Sequence, residues 1–253
     1  MAYSIVNYNR MEEEVTRRDS WKIFNRIAHR YDFLNRLLSF RQDIRWRKKL
    51  VRILEQMHIP VDQCLDIATG TCDQIIALCR KYKRSKIVGM DMSQNMLTIG
   101  REKISKKCDG KSVYLIRGDG MNIGCKGDCF DLITLSFAIR NFANIDKGFK
   151  EIHRVLSPQG YVLILEFSLP ANSVFKYIYL FYFRRMLPKL GGVISGDIQA
   201  YRYLNLSVEA FPYGAAFCAM LMKAGFSVLH SFPLFFGIAT IYLAKKKSEV
   251  QRG

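Results

Sequence analysis

A glycine and an acid, spaced as a ligand site requires, stand out in the first half of the chain. The run Cys64-Leu-Asp-Ile-Ala-Thr-Gly-Thr-Cys-Asp73 is a short apolar segment that ends in a small-residue turn and opens into a helical pattern. About twenty residues on, Lys86-Ile-Val-Gly-Met-Asp-Met-Ser93 is a second apolar segment ending in an acid, Asp91. That spacing is expected where a nucleotide-type ligand sits at a strand–turn–helix edge. Gly70 lets backbone pass close to the ligand, and Asp91 can accept hydrogen bonds from two ribose hydroxyls. The site is read as one for an adenosine-bearing cofactor.

What the turn lacks narrows the choice. A dinucleotide fold needs three glycines so that a pyrophosphate can rest on the helix N-terminus, and here only Gly70 is in place. A phosphate-cradling loop would end in Gly-Lys-Ser/Thr, which is absent. Instead Asp66 and Asp73 flank the turn. Carboxylates there repel a phosphate and suit a sulfonium and an amino group. The expected cofactor is S-adenosylmethionine, with Asp66, Gly70 and Asp91 in its site; the plain alternative is a βα turn without a ligand.

The elements that must carry these residues follow from periodicity. Ile23, Phe24, Ile27 and Tyr31 recur at helical spacing from Ser20, and a second helix is expected from Ile44 to Met57, closed by Pro60. Strands are read at Cys64–Ala68, Ile87–Asp91, Val113–Arg117, Phe130–Ser136, Tyr161–Glu166, Phe226–Phe232 and Ile238–Ala244. Helices are read near Asp73–Lys81, Ser93–Ile104, Asp146–Leu156 and Tyr213–Ala224, with Ser93 a natural N-cap. Such alternation implies a mostly parallel sheet covered on both faces. The last two strands are joined only by Pro233-Leu-Phe-Phe-Gly237 and must pair antiparallel. The expected fold is α/β, and a parallel sheet finished by one antiparallel strand resembles the seven-stranded, Rossmann-like class I methyltransferase fold. It is expected as a flexible lead-in over 1–19 and one domain over 20–253, with N-terminal helices in 20–60 and a substrate-side insertion over 169–212 before the last helix.

Composition bounds the partners. The chain has 253 residues, 49% hydrophobic, enough for one large α/β domain with a sizeable core. A net charge of +17 suits nucleic acid or an anionic membrane surface. The seven cysteines are odd in number and scattered behind no secretory leader, so they are read as reduced thiols of a cytosolic protein. Cys125 and Cys129 have no second ligand pair near them, and no metal centre is expected. No apolar run reaches membrane-spanning length. The nearest, Val174 to Phe183, is aromatic, interrupted by Lys176 and followed by Arg184-Arg185. It is either an interfacial segment or a buried helix with charged ends.

Four further runs carry a family resemblance: Tyr31-Asp-Phe-Leu-Asn35 with Ser39 and Trp46; Ser136-Phe-Ala-Ile-Arg-Asn141; Arg154-Val-Leu-Ser-Pro-Gln-Gly-Tyr-Val-Leu-Ile-Leu-Glu-Phe-Ser168; and Tyr201-Arg-Tyr-Leu204 with Ser207 and Pro212. Together, in order, over about residues 20–245, they resemble the UbiE/MenG-type quinone-biosynthesis C-methyltransferases. The departures are specific. The family's glycine after the Ser-Phe pair is Arg41, its cofactor-loop glycine is Cys72, and its histidine before the tryptophan is Asp43. Its methionine is Leu34, its Lys-Pro-Gly is Ser157-Pro-Gln159, and its lysine after Glu-Phe-Ser is Leu169.

The resemblance implies that Thr71, Asp91, Asp119, Gly120 and Ser136 contact S-adenosylmethionine. It implies a prenylated quinol as acceptor, either demethylmenaquinol or a ubiquinone-precursor benzoquinol. Arg140 and Asn141 follow the fourth strand, at the edge where methyl transfer must occur, and are the catalytic candidates. Arg140 stays protonated, so it is expected to stabilise a phenolate or orient water rather than take a proton; its plainer reading is an ion pair that fixes a loop. Tyr201 and Tyr203 are expected to line the ring pocket. A prenyl tail keeps the acceptor in the bilayer, so the protein is expected at the inner face of the membrane, docked through basic residues of 41–52, the 174–185 stretch and Lys245-Lys-Lys247. The oligomeric state stays open, a homo-oligomer included. The rivals are an RNA methyltransferase, disfavoured by the absence of an Asn-Pro-Pro-aromatic run, and a cofactor-binding scaffold without catalysis.

Overall fold

The computed structural model describes residues 17, 19–108, 112–195 and 197–247, without the side chains of 193–195 and 198. The expected lead-in over 1–19 thus lies outside the described residues, apart from Arg17 and Asp19.

Seven strands make one sheet: β1 (Gln63–Ile67), β2 (Lys86–Asp91), β3 (Val113–Arg117), β4 (Phe130–Ser136), β5 (Leu156–Phe167), β6 (Phe226–Leu234) and β7 (Ala239–Lys246). Their order is β3-β2-β1-β4-β5-β7-β6, parallel except for β7, which runs antiparallel to both β5 and β6. The strands at the centre are buried on both faces, Cys64 to Ile67 without a break, which is why they read as continuous apolar runs rather than alternating ones. The order reverses between β1 and β4, so the carboxyl ends of these two strands open a crevice where ligands bind in such sheets.

Helices cover both faces. α1 (Ser20–Leu38) and α2 (Gln42–Gln56) precede the sheet; α3 (Asp73–Cys79), α4 (Gln94–Lys107) and α5 (Ile145–Val155) connect its parallel strands. Leu65, Ile67, Phe149 and Phe217 belong to the core on one side, and Leu50, Leu54, Ile75 and Leu163 to the core on the other. Ser93 caps α4 as its sequence predicts, accepting from Met96 N at 3.2 Å.

The insertion is helical throughout its described length: α6 (Ser173–Phe181), a π-turn (Tyr182–Met186), α7 (Leu187–Ser195) and α8 (Ile198–Ala210), before the last helix α9 (Ala215–Lys223). With α1 it builds a third apolar cluster, including Ile27, Leu34, Phe183, Leu187 and Tyr201. α6 buries no residue, so the buried-helix reading of Val174–Phe183 does not hold for that helix. Among the described residues no single helix is long and apolar enough to cross a membrane.

Two expectations need correction. Cys79, closing α3, is disulfide-bonded to Cys108, at the end of α4, so not all the cysteines are reduced thiols. Parallel packing of consecutive βα units brings the two helix ends within 6.2 Å between Cα atoms, a relation that a spacing of 29 residues does not reveal. Lys245 and Lys246 lie opposite Tyr161 and Phe226, at the sheet edge away from the crevice, because β7 runs backwards. They are engaged with Gln159 and Asp128, and are not neighbours of the 174–185 stretch.

Candidate active site

The crevice holds a cleft of about 100 Å³ above β1, β2 and β4, which Gly70, Asp91, Asp119, Gly120, Ser136 and Asn141 all line. Gly70 is left-handed at φ +55°, and a Cβ built on it meets nothing within 4 Å, so it presents bare backbone to open space. Its N–H donates to Asp91 Oδ2 at 2.8 Å, while Asp91 Oδ1 accepts from Ser93 N at 2.8 Å. Burial raises the Asp91 pKa, and these backbone donors pull the other way. The carboxylate is thus fixed from behind by two backbone groups and faces the cleft. Asp119 closes its own turn, Oδ1 accepting from Met121 N at 2.9 Å. Gly120 is required by packing: a Cβ there would meet Ile67 and Phe142 at 2.6 and 2.7 Å. Ser136 Oγ lies 3.4 Å from Gln74 Oε1. An adenosine-bearing group fits this donor set: bare backbone at Gly70, a fixed carboxylate at the end of β2, and a second acid at the end of β3.

Three sequence-predicted residues are not on the cleft wall. Asp66 is buried beneath it, accepting from Thr69 Oγ1 and Thr134 Oγ1 at 2.6 Å each. Burial lifts its pKa to about 6, with both threonines opposing. Asp66 therefore braces the loop from inside, through the strand neighbour β4. Thr71 Oγ1 donates to Asp32 Oδ1 of α1 at 2.5 Å and accepts from Lys103 Nζ of α4 at 3.0 Å. Lys103 also reaches Asp73 Oδ1 at 2.6 Å, and Arg36 pairs with Asp73 as well. Burial pushes Asp73 up, but Arg47, Lys103 and Arg36 outweigh it and hold the carboxyl at about 2. Thr71 and Asp73 thus lash α1 and α4 to the loop. Cys72 stands at φ +66° with its sulfur packed on Gly100, where a Cβ would meet it at 2.3 Å. Burial pushes its thiol to about 12.

A second cavity, about 180 Å³ and mainly apolar, adjoins the cleft. Phe24, Tyr31 and Phe137 line both and form the shared wall. Arg140, Tyr201 and Tyr203 line this second space, so the residues after β4 divide: Arg140 faces the cavity and Asn141 the cleft. Tyr203 Oη donates to Asn141 Oδ1 at 3.0 Å, joining α8 to the end of β4. Arg140 is buried, its Nη1 donating to Glu166 Oε1 at 2.6 Å and to Phe137 O at 2.7 Å. The loop-fixing pair and the cavity-lining role coexist in one side chain.

Sequence reasoning missed how much of the site comes from the N-terminal helices. Trp21, Phe24 and Tyr31 of α1 line the cleft, and Trp46 and Arg47 of α2 line the cavity. Asn25 Oδ1 accepts from Ser93 Oγ and Asn95 N at the start of α4, which seats α1 over the cofactor side. The helical spacing of Phe24 and Tyr31 was the available signal, and it points equally to a core.

The fold and the sequence each have known relatives. The fold matches a solved S-adenosylmethionine-dependent methyltransferase of Thermotoga maritima at a TM-score of 0.62 and 18% identity, over 90% of this chain and 100% of that one. It also matches one of Aquifex aeolicus at a TM-score of 0.56 and 16% identity, over 77% and 87%. In sequence, the demethylmenaquinone methyltransferase of Thermus thermophilus is 42% identical over 224 residues, 88% of this chain and all of its own length. The ubiquinone/menaquinone biosynthesis C-methyltransferase UbiE of Geobacter sulfurreducens is 41% identical over 225 residues, 88% of this chain and 87% of its own. The model of the ubiE/COQ5 methyltransferase family spans residues 11–246, across both cavities and the helices that wall them, and the chain belongs to that family.

Proposed function

We propose that the protein transfers a methyl group from S-adenosylmethionine to a ring carbon of a prenylated quinol, demethylmenaquinol in the first instance and a ubiquinone-precursor benzoquinol in the second. The observation that carries this reading is the pairing of spaces: a cleft with the Gly70–Asp91 bond and an apolar cavity with a buried arginine share the wall of Phe24, Tyr31 and Phe137.

The cofactor, when bound, supplies an electrophilic methyl group and its own leaving group. Gly70, Asp91, Asp119, Gly120 and Ser136 would hold it; Asp66 and Thr71 support the loop from beneath. The protein's task is alignment and an electron-rich carbon, and alignment alone is worth about 7–11 kcal/mol. The guanidinium of Arg140 stabilises the oxygen of the ring as a phenolate once the hydroxyl proton has passed to water, which raises electron density on the neighbouring carbon. After the methyl group arrives there, the ring proton on that carbon is lost, the oxygen is reprotonated, and the net proton leaves to water. Glu166 fixes the guanidinium from behind. Asn141, held by Tyr203, stands at the junction between the two spaces.

The protein works at a membrane surface in this reading. Val174, Tyr177, Ile178 and Phe181 of α6 are 56–76% exposed, and Phe40 and Phe236 are 72% and 64% exposed. Phe40 lies against Tyr182 and Phe236 stacks on Phe175, so these groups surround the insertion's side of the cavity. Exposed Arg41, Arg185 and Lys189 accompany them. Exposed rings among cations suit an anionic lipid surface, and a prenyl tail then passes into the cavity without crossing water.

The deciding experiment incubates the protein with labelled S-adenosylmethionine and demethylmenaquinol in detergent micelles, with total RNA as a parallel acceptor. Label on the quinone carbon is the expected result. Label in RNA alone would overturn the reading and make the positive charge a nucleic-acid footprint.

A further inference from the structure

We propose that Arg47 and Tyr179 are ring-binding residues: Arg47 holds the second oxygen of the acceptor ring, opposite the oxygen that Arg140 holds with Tyr179. The inference rests on the reading of the apolar cavity as the quinol site.

Three buried polar atoms of cavity-lining residues have no hydrogen-bond partner among the described residues: Arg47 Nε, Arg140 Nε and Tyr179 Oη. Among the described residues each guanidinium bonds through Nη1 alone, Arg47 to Asp43 O and Oδ2 at 3.1 and 3.2 Å, Arg140 to Phe137 O and Glu166 Oε1. Asp43 does not belong to Arg47 alone, since Arg36 pairs with it and Ser39 Oγ donates to it at 3.0 Å. Buried donors without acceptors cost desolvation free energy and are rare unless a ligand completes them.

The aromatic packing places both guanidiniums against one pair of packed rings in the cavity wall. Phe137 and Phe167 pack at 4.4 Å between centroids. The Arg47 guanidinium stands 5.5 Å from the Phe137 centroid and the Arg140 guanidinium 5.2 Å from the Phe167 centroid. Tyr31, in the wall shared with the cleft, has its phenol raised by burial and lowered by both arginines, so it stands in the field of each. The Tyr179 phenol is raised by burial against the pull of Arg140, so it remains a donor on the Arg140 side. An apolar cavity with two guanidiniums in its wall, each keeping an unpartnered Nε, matches an aromatic ring that carries acceptor oxygens at two opposite positions. A monophenol satisfies one guanidinium and leaves the other unpaired.

The test measures anaerobic binding of 1,4-naphthalenediol and 1-naphthol to the full chain by calorimetry. The wild type is expected to bind the diol about tenfold or more tightly than the monophenol, as one charge-assisted hydrogen bond predicts. In Arg47→Gln the ratio should fall to within about twofold, because monophenol binding never used Arg47. Arg47→Lys, which keeps the charge but not the fork, is read in the same way if the glutamine variant does not fold. Tyr179→Phe deletes a hydroxyl with no partner among the described residues; it should weaken the diol about threefold or more without lowering the melting temperature. Equal binding of diol and monophenol by the wild type overturns the second-oxygen contact while the quinol reading stands. An Arg47→Gln loss that is the same for both ligands does so too, since it marks a role in packing. Failure of the wild type to bind either ring overturns the reading of the cavity and this inference with it.

Discussion

Nη1 of Arg140 donates to Oε1 of Glu166 at 2.6 Å, and both side chains are sealed from solvent, so the end of β5 governs the residue that follows β4. Glu166 Oε1 also accepts from Phe167 N at 2.8 Å, which leaves the carboxylate little freedom to follow a moving arginine. Removing one partner of such a pair strands a buried charge, so Glu166→Ala should lower unfolding free energy by about 3–5 kcal/mol in urea titrations. Arg140→Ala should depress turnover more than cofactor affinity. Unchanged turnover in that variant would remove Arg140 from the mechanism.

Asp66 makes stability depend on acidity in an unusual direction. Its pKa is about 6 in the fold, raised from 3.8 by burial. Between these values the native carboxyl keeps its proton while the unfolded one has lost it, so stability is greatest below 3.8 and falls as pH rises through 6. The span is worth about 3 kcal/mol. Asp66→Asn, which never ionises, should gain on the wild type by that order between pH 4 and pH 6.5. Parallel stability curves for the two proteins would show that Asp66 carries no such linkage.

The two residues that replace family glycines both stand in the left-handed region, Arg41 at φ +61° and Cys72 at φ +66°. A side chain there costs about 1–2 kcal/mol relative to glycine, partly offset by the stiffer unfolded chain. Arg41 is exposed and precedes α2 as its N-cap without a side-chain capping bond, so its replacement disturbs little else. Arg41→Gly is expected to raise the melting temperature by about 2–4 °C. A fall would mean that the arginine makes a compensating contact.

The exposed face of α6 can be separated from the chemistry. Val174 and Ile178 are one helical turn apart and line neither cavity. Val174→Glu combined with Ile178→Glu should cut partition onto anionic phosphatidylglycerol vesicles by about tenfold or more. The same variant should still methylate a short-chain quinol in micelles. Undiminished vesicle partition would assign the apolar face to another partner, a second copy of the chain included.

Much of the architecture was legible because it is written in short range. Apolar runs of strand length, the Gly70–Asp91 interval, the Ser93 cap and the helix-free link before β7 are local patterns. Together they determine the alternation, the antiparallel last pair and the cofactor edge. The family motifs, also local, carried the choice of Arg140, Asn141, Tyr201 and Tyr203 as candidates. What the chain could not disclose alone is which polar groups meet. Asp66 and Asp73 look like ligand-facing acids in a linear reading, yet Thr134, Lys103 and Arg36 arrive from distant segments and engage them beneath the loop. Arg47 reads as one more surface cation of a basic helix until α2 packs against the sheet and turns it into an apolar cavity. Cys79 and Cys108 meet because parallel βα units place their helix ends side by side. The sequence specifies elements through nearest-neighbour energetics; the partners of buried charges are decided by packing, because only burial makes an unpaired charge costly enough to select them.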